Sequence, residues 1–365
     1  MTLTPDTARA WVNVDLGALV ANARTLAALS GSRLLPMVKA NGYGLGAIAV
    51  ARALDSLDPW GYGVASVEEG QALRAAGIER PLLVVSPLLS DTMDAHLAHD
   101  LRPTIGDAAA LEAWCSRTPQ PFHVEIDTGM SRAGFRWNDT ALLAAVGARL
   151  GAAGGWEGAF THFHSADTDP ESAALQWDRF QDVLRSFPRR PALVHAANSA
   201  GALQGRTYAG DLIRPGIFLY GGGGGGLASA SVAALRARVV AVRRIGAGEP
   251  VSYGATWRPA RPTTVATLAI GYADGFLRVA RETASPGLPP RLVELCGALV
   301  PVVGRVTMDL TMVDAGDLPV TPGHVATLWG GDVSLEQAAA AAGTIPYELL
   351  TALGARVPRR YRRET

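Results

Sequence analysis

Through the first two-thirds of the chain, short apolar runs alternate with stretches whose apolar residues recur at helical spacing. After a short tail and a strand-like "AWVNVDL", the pattern predicts strands over 34–39, 61–66, 81–86, 101–105, 122–127, 157–162, 192–197 and 211–217. Between them lie helical segments such as "LGALVANARTLAAL", "SVEEGQALRAAG", "GDAAALEAWCSR" and "SAALQWDRFQDVLRSF", long enough for crossovers that make the flanking strands parallel. Such alternation predicts an α/β unit over 11–228, a (β/α)8 TIM-type barrel, with an open doubly wound sheet as the runner-up. Residues 1–10 read as a tail running into the first strand. Beyond Tyr220 the pattern changes. The run "GGGGGG" (221–226) offers no side chains to pack, and reads as a hinge or a surface insertion. Short β-rich segments then follow, among them "TTVATLAIGY", "RLVELCG", "ALVPVVGRV", "LTMVDA" and "HVATLWGG", and predict a C-terminal all-β domain over 229–365, with a last helix, "SLEQAAAAAG", before "YELLTALGARVPRRY" closes the chain.

Composition narrows the function. Basic and acidic residues balance at 33 each, so no net field attracts nucleic acid or a membrane surface. A small-molecule partner is expected. Cys115 and Cys296 have no neighbours at metal-ligand spacing, which argues against a metal site or a disulfide framework. The absence of a basic-then-apolar leader pattern predicts a cytoplasmic protein.

In and just after "LLPMVKANGYGLGAI" (34–48), Gly44, Gly46 and Ala49 match a dinucleotide fingerprint with Glu68 downstream, but Lys39, Ala40, Asn41, Gly42 and Tyr43 intervene where that motif would set its first glycine. The alternative centres on Lys39. At a strand's C-terminal end, beside Met37 and Val38, its ammonium is disfavoured, and the neutral amine is a nucleophile and a base able to form a Schiff base. Arg132, His162, His195, Asn198, Ser199 and Arg214 fall at other strand ends and are expected on the same rim. Ser199 and the backbone at Gly216 and Ile217 fit a phosphate site after the last two strands. Each has a plainer reading: Asp127 as a turn cap, Arg214 as a buried ion-pair partner, His162 as a structural histidine.

These stretches together resemble bacterial alanine racemases, fold-type III pyridoxal-phosphate enzymes. "VKANGYGLG" is similar to the family's lysine motif and "DTGMSRAGF" to its arginine motif, while "HAANSAG", "RPGIFLYG", "VSYGATW", "GYADGF", "GRVTMDLTMVD" and "YELLTALGARVPRRY" follow in family order across essentially the whole chain. The resemblance implies pyridoxal 5'-phosphate on Lys39, two-base interconversion of L- and D-alanine by Lys39 and Tyr253, and D-alanine supply for peptidoglycan. It implies Tyr43 and Tyr347 at the phosphate, and Arg132 at the cofactor's phenolic oxygen and the substrate carboxylate, with the Met308 backbone beside it. Arg214 is implied at the ring nitrogen, which an arginine leaves unprotonated, with His162 and His195 supporting the network and Asp309 next to Met308. Tyr253, Tyr272 and Met308 are implied to arrive from a partner subunit, making the protein a homodimer. Alternatives are a broad-specificity or serine racemase, a basic-amino-acid decarboxylase, and, in another class, a non-catalytic pyridoxal-phosphate carrier.

The chain departs from the family at several positions. Glu125 stands where a carbamylated lysine orients the arginine and is expected to hold Arg132 directly. Leu45 replaces a histidine, Gly42 an alanine, and Thr307 a common cysteine.

Overall fold

The computed structural model describes residues 7–223, 226–278 and 288–362. Strands of the N-terminal two-thirds are β1 (Ala10–Asp15), β2 (Arg33–Leu34), β3 (Tyr62–Val64), β4 (Leu82–Pro87), β5 (Leu101–Ile105), β6 (Phe122–Asp127), β7 (Phe135–Arg136), β8 (Trp156–Phe160), β9 (Leu193–His195) and β10 (Leu212–Ile213). A parallel half-barrel sheet runs β3-β4-β5-β6-β8-β9, and β10 pairs in parallel with β2. Backbone hydrogen bonds from Val38 to Gly63 and from Trp60 to Leu34 tie β2 to β3, while Asp211 to Val194 and Arg214 to Ala197 tie β10 to β9. The intervening helices start where the sequence supplies caps: Asp15, Ser66, Asp107, Asp139 and Asp169 each accept a hydrogen bond from a backbone N–H in the first turn.

Two predicted strands are much shorter than their apolar runs. The segment expected over 34–39 pairs regularly only at Arg33–Leu34, with one further bridge between Met37 and Gly63. Pro36 has no N–H to give, and Pro215 similarly limits the segment expected over 211–217.

The second unit contains β11 (Ala233–Ile245), β12 (Thr263–Leu268), β13 (Leu292–Leu295), β14 (Ala298–Val303), β15 (Thr311–Gly316), β16 (Val325–Trp329) and β17 (Arg359–Arg362). The order β11-β12-β15-β14-β13-β16 returns to β11, closing an antiparallel barrel. The first strand belongs here: β1 pairs antiparallel with β11 and parallel with β17, so the expected boundary at residue 11 is displaced. With β10 linked to β2 there is no place for β1 in the parallel sheet, and its apolar residues Val12 and Val14 are fully buried between its two partners. Of the glycine run, Gly224 and Gly225 lie outside the described residues, as do tail residues 1–6. Gly222 donates to the Ile217 carbonyl, and the Gly223 N–H donates to Glu336.

Candidate active site

A cavity of about 270 Å³ opens at the C-terminal ends of the parallel strands. It brings together Lys39, Tyr43, Glu125, Arg132, His162, Asn198, Ser199, Arg214, Gly216, Ile217 and Tyr347 from segments far apart in sequence. Lys39 does not end a strand. It opens the turn α1 (Lys39–Tyr43), in which Ala40, Asn41 and Gly42 hold φ between 51° and 63° and ψ between 47° and 49°. Tyr43 and Gly44 also have positive φ, at 51° and 81°, so the lysine is followed by a short left-handed stretch. For residues with a Cβ that conformation costs about 1–2 kcal/mol each, and it persists only where surrounding contacts enforce it. Glu69 is one such contact, accepting from the Ala40 N–H at 2.7 Å and the Ala65 N–H at 2.8 Å.

Burial lowers the Lys39 pKa, and the cations Arg132 and Arg214 push the same way against Glu69. The amine is thus eased toward its nucleophilic neutral form. Across the cavity, Ser199 Oγ accepts from the Gly216 N–H at 2.9 Å and the Phe218 N–H at 3.3 Å, leaving the hydroxyl proton free for a ligand. Tyr43 stacks on Tyr220 with centroids 4.4 Å apart. Its hydroxyl would lie 2.3 Å from any Cβ at position 216, so only glycine there admits the ring. An amine, a hydroxyl-and-glycine anion cradle, a phenol and a fixed guanidinium constitute a donor set that fits a phosphorylated aldehyde cofactor.

Arg214 is buried, and among the described residues it has no carboxylate at salt-bridge distance. Its Nη1 donates to the His195 carbonyl at 2.9 Å and lies 2.8 Å from His195 Nδ1, and its Nη2 donates to the carbonyls of Thr161 at 2.7 Å and Ala196 at 3.0 Å. Burial lowers its pKa to about 10, still cationic at neutral pH. Nη2 also lies 3.3 Å from His162 Nδ1. Burial and the cations Arg214, Arg132 and Lys39 push the His162 pKa down to about 3, so that imidazole is neutral. His195, expected at the mouth, instead sits behind Arg214, fully buried. Asp127 caps a turn, accepting from the N–H groups of Gly129 and Ser131 at 3.0 Å each, and so sets the loop that carries Arg132.

Glu125 does not hold Arg132 in a direct ion pair. It is 5% exposed, and among the described residues it has no hydrogen-bond or salt-bridge partner. Burial raises its pKa, with Arg132 and Arg214 opposing through space. The glycines of the supposed nucleotide loop serve domain docking. A Cβ on Gly44 would lie 2.1 Å from the Leu350 carbonyl oxygen, and one on Gly46 would lie 2.1 Å from the Tyr361 hydroxyl. The working acid after that loop is Glu69, the neighbour of Glu68.

Tyr253, Tyr272 and Met308 do not line the cavity of their own chain. They are 70%, 41% and 53% exposed on the antiparallel domain. The loops bearing Tyr272 and Met308 are joined by hydrogen bonds from Tyr272 N to Thr307 O at 3.0 Å and from Ala273 N to Met308 O at 3.1 Å. Asp274, 1% exposed, is gripped by Arg9 at 2.6 Å and Arg356 at 2.7 Å, and Arg356 also pairs with Asp309 at 2.6 Å. Thr307 Oγ1 donates to the Leu310 carbonyl at 3.0 Å and accepts from the Leu310 N–H at 3.0 Å, a turn-holding role.

A lysine presented on a parallel α/β sheet opposite an anion cradle, with an antiparallel barrel appended, defines the class of fold-type III pyridoxal-phosphate proteins. Family models of the alanine racemase N-terminal and C-terminal domains match residues 14–223 and 232–361. An alanine racemase of Deinococcus radiodurans is 40% identical over 360 residues, spanning 96% of this chain and 99% of that protein. The solved alanine racemase of Bartonella henselae, with covalently bound pyridoxal phosphate, superposes with a TM-score of 0.87 at 32% identity, covering 97% of this chain and 100% of that one. That of Bacillus anthracis, with bound L-Ala-P, has a TM-score of 0.87 at 30% identity and covers 99% and 97%. The chain belongs to the alanine racemase family.

Proposed function

We propose that this protein interconverts L- and D-alanine, using pyridoxal 5'-phosphate held on Lys39, as a cytoplasmic homodimer whose two active sites are shared. The observation that carries the reading is the meeting of Lys39, the Ser199–Gly216 cradle and the carboxylate-free Arg214 in one cavity. Tyr43, Tyr347, Asn198 and the backbone at Gly216 and Ile217 would hold the phosphate. Arg132 would meet the substrate carboxylate, and Arg214 would meet the ring nitrogen.

When bound, pyridoxal phosphate supplies the electron sink that makes the substrate's Cα–H acidic. Lys39 moves that proton on one face of Cα, and Tyr253 of the partner subunit moves it on the other. His162 and Arg214 would supply the polar groups that face that tyrosine's hydroxyl in the shared site. Arg214, a cation that accepts no proton, would leave a ring nitrogen set beside it unprotonated, which would favour proton return over side reactions such as transamination.

The parallel strands are read as a closed (β/α)8 barrel, supported by the hydrogen bonds that link β2 to β3 and β10 to β9. The domains are then 16–223 and, with β1 added, 232–362. Among the described residues no helix is long and apolar enough to cross a membrane, which agrees with a cytoplasmic enzyme. The test is borohydride reduction and peptide mass spectrometry, followed by chirality assays on single amino acids. A pyridoxyl adduct at Lys39 with fast racemisation of alanine alone is expected. An adduct without racemisation would favour a cofactor carrier, and no adduct would remove the reading.

A further inference from the structure

Behind Arg214 the barrel interior contains a chain of side chains that the reaction itself does not require. An arginine side chain only donates, so the His195 Nδ1 that faces Arg214 Nη1 at 2.8 Å presents a lone pair. A neutral imidazole carries one N–H, so that of His195 is on Nε2, and it donates to His123 Nδ1 at 2.8 Å. His123 in turn carries its proton on Nε2, 3.3 Å from Glu157 Oε2. Arg102 Nε lies 3.6 Å from the same carboxylate.

Every donor in this series has one direction open to it. Were His195 to hold its proton on Nδ1, two N–H groups would face each other at Arg214. Were His123 doubly protonated, the same conflict would arise at His195. Both imidazoles are 0% exposed, so no water corrects such an error.

The space for the series is built. A Cβ on Gly158 would lie 2.4 Å from His123 Nδ1, yet the φ of Gly158 is not positive, so the glycine is needed for room alone. Trp60 flanks His123 at 5.3 Å, and Phe160 stacks on His195 at 5.0 Å while lying under the Arg214 guanidinium at 4.9 Å. Arg102, His123 and Glu157 are each the second residue of β5, β6 and β8, at the end remote from Lys39. The series therefore crosses the barrel from its closed end to the cavity.

We propose that Glu157 and His123 are positioning residues for Arg214: the carboxylate fixes the His123 proton on Nε2, which fixes that of His195, which leaves a lone pair to hold the guanidinium in place. The proposal rests on the functional reading above only for its catalytic consequence. The proton positions themselves are read without it.

The test is two-bond 1H–15N correlation on the full-length, cofactor-loaded protein labelled at its seven histidines, assigned with single His→Gln variants. In the unaltered protein both His195 and His123 are expected wholly as neutral Nε2–H tautomers from about pH 5.5 to 8.5, where a free imidazole would titrate. An Nδ1–H or charged His195 overturns the proposal, whatever the variants do. Glu157→Gln keeps a carbonyl acceptor and is expected to keep the tautomers, with kcat/KM within about threefold. Glu157→Leu is expected to give mixed tautomers and a loss of about tenfold, the scale typical of removing a carboxylate that orients a histidine. Wild-type tautomers in a folded Glu157→Leu would overturn the role given to the carboxylate. Failure to find an adduct at Lys39 would sink the cofactor reading and leave the tautomer result standing.

Discussion

Lys39 shows at one residue how a reactive group costs stability. Its folded pKa is depressed from the ordinary 10.5, so between those two values the unfolded chain binds the extra proton more readily. Stability therefore rises with pH through that window, and below it the full penalty is present. Lys39→Met, freed of cofactor, is expected to melt a few degrees above the unaltered protein at pH 7, with the difference closing as the pH approaches 10.5; calorimetry across pH checks this. An equal difference at every pH would mean packing, not ionisation, sets it. Glu125, buried with no hydrogen-bond or salt-bridge partner among the described residues, feels Arg132 and Arg214 through space. Glu125→Gln removes that charge and is expected to lower kcat/KM roughly tenfold, equivalent to about 1.4 kcal/mol, and full activity would dismiss the role. Most cavity-lining chemistry was legible residue by residue, because the polar groups stand at the ends of apolar runs. Two residues that support the lining from behind, Glu69 and Tyr220, were not. Glu69 acts through two backbone N–H groups, and Tyr220 through ring stacking and a bond to the Met37 carbonyl at 2.8 Å, contacts that leave no spacing signal.

At the scale of elements, the turn after Lys39 is held by what packs on it. Gly44 meets Leu350, Arg359 Nε donates to the Gly44 carbonyl at 2.8 Å, and the Tyr361 hydroxyl donates to the Leu45 carbonyl at 3.0 Å. The C-terminal segments thus clamp the left-handed stretch, and Leu45 is fully buried under them. Gly44→Ala is expected to cost about 2 kcal/mol or more, since positive φ and a backbone clash combine. Gly77→Ala provides the control. Its φ is +81° but nothing lies within 4 Å, so only the conformational cost of about 1 kcal/mol applies. Urea melts of the pair measure the difference, and equal losses would show that the clamp does not bear on the turn. Element types were readable from hydrophobic period, and the strand limits at Pro36 and Pro215 follow from their missing N–H groups. The left-handed turn was not readable, because Ala40 and Asn41 adopt it under tertiary contact and against the preference of an alanine.

For the whole molecule, the unreadable part was the path of the first strand: β1 looks like any half-buried strand, and only the pairing of β2 with β10 instead sends it to the other sheet. That excursion fastens the domains together and helps place Arg9 on Asp274, which steadies the exposed loops of Tyr272 and Met308. Tyrosines and a methionine standing out from a rigid surface are typical of a surface that is covered by a partner. If that partner is a second copy, each site combines Lys39 of one subunit with Tyr253 of the partner subunit. Lys39→Ala and Tyr253→Ala homodimers should each be inactive. Mixing them after mild dissociation creates heterodimers in which one site carries both defects and the other carries neither. Random reassociation makes about half the dimers mixed, with one intact site in two, so about a quarter of unaltered activity should return. Sites complete within one chain would instead give no recovery, since neither variant chain holds both residues.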